Sequence, residues 1–228
     1  MQVSDAVAAA TVVLLRDASE AEGDGVEVLM LRKNRGQAFG GMWVFPGGRV
    51  EDGDGDVERD GEATVARNAA VREAAEETGV ALDATALVPF AHWVPPADAP
   101  RRFSTWFFVA ALPPGAADVV VDGGEIGDHL WTRPADALAR HAAGEVELVP
   151  PTWVTLHGLA DLVSAAGGVE RASAGEVAYY ATHIGVVGED LCAVWAPDAG
   201  YESGDLDQPG PRHRLLMTNG GWTYERSP

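Results

Sequence analysis

Residues 72–80 read R-E-A-A-E-E-T-G-V, and this stretch is the most informative part of the chain. In a helix, Glu73, Glu76 and Glu77 stand at positions i, i+3 and i+4, so their carboxylates share one face. Gly79 follows, and glycine is the usual residue just beyond the last turn of a helix. The stretch therefore predicts a helix that presents three carboxylates side by side and then ends.

Three convergent carboxylates suit a divalent cation such as Mg²⁺ or Mn²⁺, because hard cations prefer oxygen ligands. Taken alone, the helix has an alternative interpretation as a solvated acidic face. The segment FPGGRVE at residues 45–51 favours the metal site, because the backbone of a glycine turn can approach a metal or a phosphate closely. We therefore expect Gly47 and Gly48 to contact the substrate.

The glycine turn and the helix together resemble the Nudix box, whose helical half is R-E-U-x-E-E-x-G-U with U apolar. Every fixed position of that half is present, and Ala74 serves as the first U. The resemblance implies the α/β (α+β) class, as a Nudix-type α/β/α sandwich around a mixed sheet. It implies catalytic roles for Glu73 and Glu76, metal ligation by all three glutamates, and structural roles for Arg72 and Gly79.

Two features depart from the family pattern. Gly48 lies 24 residues before Arg72, where the pattern has 14, so ten extra residues are expected within residues 51–61. Thr64 stands where the pattern has its first glutamate. We expect residues 51–61 to form a solvated surface loop. The acids that could replace the missing glutamate are Glu51, Asp54, Asp56, Glu58 and Glu62. A solvated loop acid is the alternative for each.

Two flanking segments, GMWVFPGGR at 41–49 and RRFSTWFF at 101–108, look like the peroxisomal-type (acyl-)coenzyme A diphosphatase branch of the family. This resemblance implies hydrolysis of coenzyme A or acyl-coenzyme A to phosphopantetheine and 3′,5′-ADP. Arg49, Arg101 and Arg102 are then candidate substrate-binding residues, because arginine binds phosphate through paired hydrogen bonds. For the last two, solvated arginines at a strand end are the alternative.

Two other functions stay open from the sequence. One is a pyrophosphatase for nucleotide sugars or NADH-type dinucleotides. The other is a Nudix-fold binding or regulatory module that has lost turnover, which the missing glutamate and the insertion would allow. Glu125 bears on the choice, because many family members carry a further acid before the strand that ends in tryptophan. We expect Glu125 to be a distal metal ligand or the general base, with Asp128 as the reserve and a plain loop acid as the alternative.

The charge of the chain limits its partners. Sixteen basic and 35 acidic residues give a net charge of −19 over 228 residues. Such a charge argues against a nucleic-acid polymer or an anionic membrane as partner, and a small-molecule diphosphate is expected instead. The apolar run at 6–15 is too short to span a bilayer. The single cysteine, Cys192, excludes an intramolecular disulfide and indicates a reducing, cytoplasmic location.

The resemblance implies a Nudix domain over residues 1–170, and a C-terminal extension over 171–228 is expected to pack on the same domain. Expected strands lie at 6–15, 26–32, 80–94, 102–112 and 124–131, and expected helices at 63–78, 134–143 and 151–165. Two or three further strands are expected within 177–222. The sequence leaves open whether the extension is a lid, an additional sheet or the surface of a homodimer.

Overall fold

The computed structural model describes residues 6–19, 25–36, 39–100, 102–121 and 123–227. Within these ranges the strands are β1 (Val7–Asp17), β2 (Val26–Lys33), β3 (Trp43–Val44), β4 (Gly47–Arg49), β5 (Val88–Val94), β6 (Phe103–Ala111), β7 (Ile126–Thr132), β8 (Ala178–Ala181), β9 (His183–Val187), β10 (Asp190–Val194), β11 (His213–Thr218) and β12 (Gly221–Arg226). The helices are α1 (Val57–Asp60), α2 (Glu62–Thr78), α3 (Pro134–Ala142), α4 (Pro150–Leu159) and α5 (Ala165–Ala174).

An eight-stranded mixed sheet forms the centre of the molecule. Strand β1 pairs in parallel with β6 along one edge and antiparallel with β2 and β4 along the other. Strand β2 pairs with β7 on one edge and with β1 and β3 on the other. The short strands β3 and β4 therefore fill the space between the diverging halves of β1 and β2. This arrangement places the glycine turn in the middle of the sheet.

The sheet is covered on both faces, which explains the continuous apolar sequence of β1. Val12 and Leu14 face α2, whose buried positions are largely alanines, so the helix axis lies close to the sheet. Val13 and Leu15 face α3, α4 and α5 on the other side. The expected sandwich with a mixed sheet is confirmed.

The C-terminal segment forms a second, antiparallel sheet in the order β12-β11-β10-β9. Its buried residues Ala193 and Leu215 join the core beneath α3 to α5. Strand β8, by contrast, pairs with β5 and extends the central sheet. The predicted boundary at residue 171 falls within α5. The extension over 171–228 thus contributes one strand to the central sheet and four to the second.

Three predicted elements differ from the structure. The strand expected over 80–94 is restricted to β5, because residues 80–87 turn beside the end of α2 through a 3₁₀ turn capped by Asp83. The helix expected over 151–165 ends earlier, at Leu159, and Ser164 caps a separate helix α5 that begins at Ala165. Five strands begin within residues 177–222, where two or three strands were expected. Among the described residues, no helix has the length and apolar character needed to cross a membrane.

Candidate active site

Helix α2 carries the three glutamates to the glycine strand β4. The helix ends where predicted, because Gly79 adopts a left-handed conformation with φ of 73° and its N–H donates to the carbonyl of Ala75. Glu77 is buried and its Oε2 accepts a hydrogen bond of 2.8 Å from the backbone N–H of Gly47. Glu73 lies against Gly48. The acidic face of the helix therefore contacts the glycine turn directly.

Both glycines are required by this close approach. A Cβ atom at Gly48 would overlap the carboxyl group of Glu73. A Cβ atom at Gly47 would overlap the backbone of Ala10 and Thr11 in β1. Since no other residue lacks a Cβ, only glycine lets β4 lie between β1 and the carboxylates.

Lys33, which the sequence analysis did not single out, lies at the centre of the acids. Its Nζ donates to Glu77 Oε1 at 2.8 Å and to Glu125 Oε1 at 2.6 Å. The lysine side chain is 9% exposed and that of Glu125 is 47% exposed. Glu77 and Glu125 thus accept hydrogen bonds from the same ammonium. Asp128, the reserve candidate, is exposed and pairs instead with Arg32 at 3.4 Å.

The pKa values of Glu73, Glu77 and Lys33 differ from their usual values. Burial raises the pKa of Glu77 to about 7, although Lys33 and the Gly47 N–H act in the opposite direction. Burial also raises the pKa of Glu73, against the effect of Arg72. For Lys33, burial would lower the pKa, but Glu77 and Glu125 outweigh it and raise the pKa above its usual value. The ammonium therefore stays charged at neutral pH.

Arg72 connects the other two glutamates. Its Nη1 lies 2.9 Å from Glu73 Oε1 and 3.1 Å from Glu76 Oε2. Its Nη2 donates to the carbonyl of Arg49 at 2.8 Å. The guanidinium offsets the repulsion between neighbouring carboxylates and ties α2 to the end of β4.

Asp54 is the acid of the inserted segment that reaches the box. It is buried at 6% exposure and accepts two hydrogen bonds from Arg72, each of 3.0 Å. The prediction of a solvated segment over 51–61 is confirmed for most of its residues, which are exposed, but it is wrong for Asp54, and the segment is not an irregular loop. The segment forms a 3₁₀ turn over Asp52–Asp54 and the short helix α1, because acids cap both elements.

The other candidate acids have different surroundings in the described structure. Asp56 caps α1 through the N–H groups of Glu58 and Arg59. Glu51 and Glu58 are exposed, and Glu62 lies 3.9 Å from His92. Thr64 is exposed on the first turns of α2.

The residues fit a divalent cation by their chemistry, although their present contacts are with basic side chains. Within the described ranges, no three acids, histidines or cysteines already converge as a metal cage. Arg72 instead lies between Glu73 and Glu76, and Lys33 lies beside Glu77. All the donors are carboxylate oxygens directed toward positive charge, which is the donor set that Mg²⁺ and Mn²⁺ prefer.

Two of the three candidate substrate-binding arginines, Arg49 and Arg102, lie within the described residues. Arg49 is exposed at the end of β4, with its guanidinium 5.6 Å from the centre of the Phe103 ring. The Nε of Arg102 donates to the carbonyl of Pro96 at 3.2 Å. Arg101 lies outside the described residues. Of the two arginines in segment 101–108, the one that the structure describes, Arg102, therefore contacts a backbone carbonyl.

A cleft of about 430 Å³ lies on the opposite face of β2. It is lined by Arg32, Arg35 and Trp43 together with the connection between α3 and α4. Arg32 and Trp43 are direct partners across β2 and β3, so they share a face, and the guanidinium lies 5.8 Å from the centre of the indole ring. Lys33, the next residue, points to the acids. The cleft and the acids are therefore neighbours across one strand.

Comparison with known proteins agrees with this geometry. Residues 6–151 match the family model of the NUDIX domain. A NUDIX hydrolase from Alicyclobacillus acidocaldarius is 25% identical with a TM-score of 0.67, over 77% of this chain and 100% of that chain. A MutT NUDIX hydrolase from Burkholderia pseudomallei is 18% identical with a TM-score of 0.48, over 68% of this chain and 98% of that chain. No curated protein matches the sequence.

The match to the family model covers more than half of the chain, and it includes the glycine turn, the insertion and the whole of α2. The similarity to the Alicyclobacillus structure extends beyond that match, to 77% of the chain. The chain therefore belongs to the NUDIX family of pyrophosphohydrolases.

Proposed function

We propose that this Nudix hydrolase uses Mg²⁺ or Mn²⁺ to cleave the diphosphate of coenzyme A or of an acyl-coenzyme A. The observation that carries the hydrolytic part is the gathering of four glutamates around the glycine strand β4, balanced by Arg72 and Lys33. These glutamates are Glu73, Glu76, Glu77 and Glu125. A surface that served only solubility would not require buried acids with paired cations.

The roles of the side chains follow from their positions. Glu73, Glu76 and Glu77 would hold the divalent ion, which when bound neutralises the bridging phosphates and lowers the pKa of the attacking water. Glu76 is the most accessible of the three, with a side chain 60% exposed. Glu125 is half exposed at the opposite side of Lys33, and its carboxylate is the candidate to accept a proton from water.

The glycine strand has a binding role in this proposal. Because Gly47 and Gly48 have no side chains, a diphosphate can lie close to their backbone without steric overlap. The N–H of Gly47 already donates to Glu77, which fixes the turn against the helix before substrate arrives. The turn therefore supplies a rigid edge of the site.

The nearby cleft supports a substrate whose second moiety is aromatic and anionic. Trp43 offers an aromatic face, and Arg32 and Arg35 offer positive charge. Glu145 and Glu147 also line the cleft, and Arg32 pairs with Asp128 at 3.4 Å, so, among the described residues, Arg35 is the arginine of the cleft whose charge is left for a phosphate. Coenzyme A carries an adenine ring and a 3′-phosphate in addition to its diphosphate. Arginine binds a phosphate through charge-assisted hydrogen bonds, and an indole ring can stack on a base.

The alternatives predict different products. Nucleotide sugars and NADH-type dinucleotides share the diphosphate but lack the 3′-phosphate, so arginines that recognise this group would not favour them. A degenerate binding module would bind such ligands without cleaving them. The retention of all three helix carboxylates argues against degeneration, since a site without metal has no use for their mutual repulsion.

A substrate panel tests the proposal. Coenzyme A, acetyl-coenzyme A, dephospho-coenzyme A, ADP-ribose, NADH and UDP-glucose are incubated with the protein and Mg²⁺ or Mn²⁺, and products are identified by mass. We expect phosphopantetheine and 3′,5′-ADP from coenzyme A, with kcat/KM higher than for dephospho-coenzyme A. Equal values for these two would contradict recognition of the 3′-phosphate, and faster cleavage of ADP-ribose or NADH would favour the second candidate.

Two double variants locate that recognition. Arg101→Ala with Arg102→Ala tests the arginines that the sequence suggests, and Arg32→Ala with Arg35→Ala tests the arginines of the cleft. The pair that binds the 3′-phosphate should, when removed, abolish the preference for coenzyme A over dephospho-coenzyme A. A preference that survives in both double variants would contradict the role of all four arginines.

A further inference from the structure

Lys33 differs from every other basic residue of the chain. It is the only lysine, and the other 15 of the 16 basic residues are arginines. It is also buried, at 8% exposure, at the end of strand β2. Burying an ammonium is unfavourable unless acids accept its hydrogen bonds. The acids that do so here belong to the candidate active site, which connects the lysine with the function of that site.

The ammonium lies between two acids that come from different elements. Nζ is 2.8 Å from Oε1 of Glu77 in α2 and 2.6 Å from Oε1 of Glu125 in the loop before β7. The other oxygen of Glu77 accepts the N–H of Gly47. The position between the two carboxylates is therefore taken by a positive charge that belongs to the protein itself.

A divalent ion cannot share this position. Mg²⁺ binds carboxylate oxygens at about 2.0–2.1 Å, so an ion between Glu77 and Glu125 would occupy the space of Nζ. Displacing the lysine would leave a buried ammonium without its acids, which is strongly unfavourable. Glu73 and Glu76, in contrast, are balanced by Arg72, whose side chain is 24% exposed and also donates to Asp54 and to the backbone carbonyl of Arg49.

We propose that Lys33 is the resident cation between Glu77 and Glu125, so that divalent ions bind among Glu73, Glu76 and Glu77, away from Nζ, and Glu125 is not a metal ligand. The inference rests on the proposed metal-dependent function. It makes Lys33 a positioning residue that holds Glu125 at the edge of the site, and it leaves Glu125 only its role toward the attacking water.

The choice of lysine agrees with this role. An ammonium is a compact point charge that donates in three directions, whereas a guanidinium is a wide planar group with fixed donor directions. The gap between the two carboxylates, 2.6 and 2.8 Å from one nitrogen, suits the ammonium.

Counting of bound Mn²⁺ tests the inference without reference to activity. The free ion is measured by electron paramagnetic resonance during titration of the wild-type protein and of the Glu125→Gln, Lys33→Met and double variants. We expect Glu125→Gln to bind the same number of ions with unchanged Kd. Lys33→Met should bind one additional ion, because it vacates the position between the acids, and the double variant should lose that ion again. Glu73→Gln serves as the positive control and should weaken binding.

The outcomes separate the two proposals. Loss of an ion in Glu125→Gln alone would overturn the inference and leave the metal-dependent function intact. A folded Lys33→Met variant that gains no ion would also overturn it. If Lys33→Met does not fold, the Glu125→Gln measurement decides alone, since this side chain is half exposed. Absence of Mn²⁺ binding to the wild-type protein would overturn both the inference and the proposed function.

Discussion

Asp54 and Arg72 form a bidentate ion pair, with Oδ1 3.0 Å from Nε and Oδ2 3.0 Å from Nη2. The same guanidinium contacts two of the three helix glutamates. The inserted segment therefore supports the acidic face, although the family pattern places its supporting glutamate at the position of Thr64.

We predict that Asp54→Asn weakens both the fold and the reaction. The substitution keeps the shape of the side chain but removes the charge that Arg72 contacts, and the arginine is partly exposed, so the loss of unfolding free energy should be about 2 kcal/mol. Because Arg72 would then orient Glu73 and Glu76 less well, kcat should fall by about tenfold. Urea unfolding and steady-state kinetics measure the two effects.

Asp52→Asn is the matched control, because Asp52 belongs to the same 3₁₀ turn and is exposed. It should change the unfolding free energy by less than about 0.5 kcal/mol. Equal behaviour of the two variants would show that the ion pair with Arg72 supports neither stability nor catalysis.

Metal affinity should depend on pH through Glu77. Burial raises the pKa of its carboxyl to about 7, and a proton on the carboxyl competes with the metal. The affinity for Mn²⁺ should therefore rise as the pH increases toward 7 and level off above it, with a change of up to about tenfold per pH unit on the acid side. Titrations between pH 5.5 and 8.5 measure this, and the dependence should be weaker in Glu77→Gln, which keeps only the raised pKa of Glu73. A flat profile in the wild-type protein would contradict ligation by Glu77.

The second sheet has its own buried ion pair, between Asp198 and Arg214. Burial alone would raise the pKa of Asp198, but the guanidinium and the N–H groups of His213 and Gly200 outweigh it and hold the pKa well below its usual range. A lowered folded-state pKa gives stability that is complete above the unfolded value of about 3.9 and is lost as the pH falls further.

We therefore predict that Asp198→Asn lowers the unfolding free energy by about 3–5 kcal/mol at pH 7, because a buried guanidinium loses its charged partner. In the wild-type protein, protonation of Asp198 contributes to the fall of the unfolding free energy below pH 4. This contribution should be absent in Asp198→Asn. Asp161→Asn, which breaks the exposed pair with Arg171, should cost less than about 1 kcal/mol. Chemical denaturation at pH 3 and pH 7 checks both statements, and equal costs for the two variants would argue against the buried pair.

Local sequence patterns were sufficient to predict the strands β1 and β2, which are largely apolar runs, and the helix α2, whose apolar residues recur at helical spacing. The carboxylate face followed from the same helical spacing. Helix α5 was missed because its sequence contains Gly167 and Gly168, which disfavour a helix in isolation. In the structure, Gly168 packs against Leu15 and Leu162. Tertiary packing thus stabilises a helix that its own residues do not favour.

The partners of the acidic face depend on contacts that are distant in the sequence. Lys33 lies 44 residues from Glu77 and 92 from Glu125, so spacing alone gives no sign of the cluster. Its being the only lysine was the one available signal. Likewise, five acids were equal candidates near the insertion, and only the path of the 3₁₀ turn selects Asp54.

The account as a whole depends on the acidic face of α2 acting through a divalent ion. The most direct test is the turnover of Glu76→Gln and of Glu77→Gln on the best-cleaved member of the substrate panel at saturating Mn²⁺. Each substitution keeps the shape of the side chain and removes its charge, and Glu170→Gln on the exposed face of α5 is the charge-matched control. We predict that kcat falls by at least about 10²-fold in each variant, on the order of 3 kcal/mol of transition-state stabilisation, and that the control is unchanged. Wild-type turnover in both variants would contradict the account.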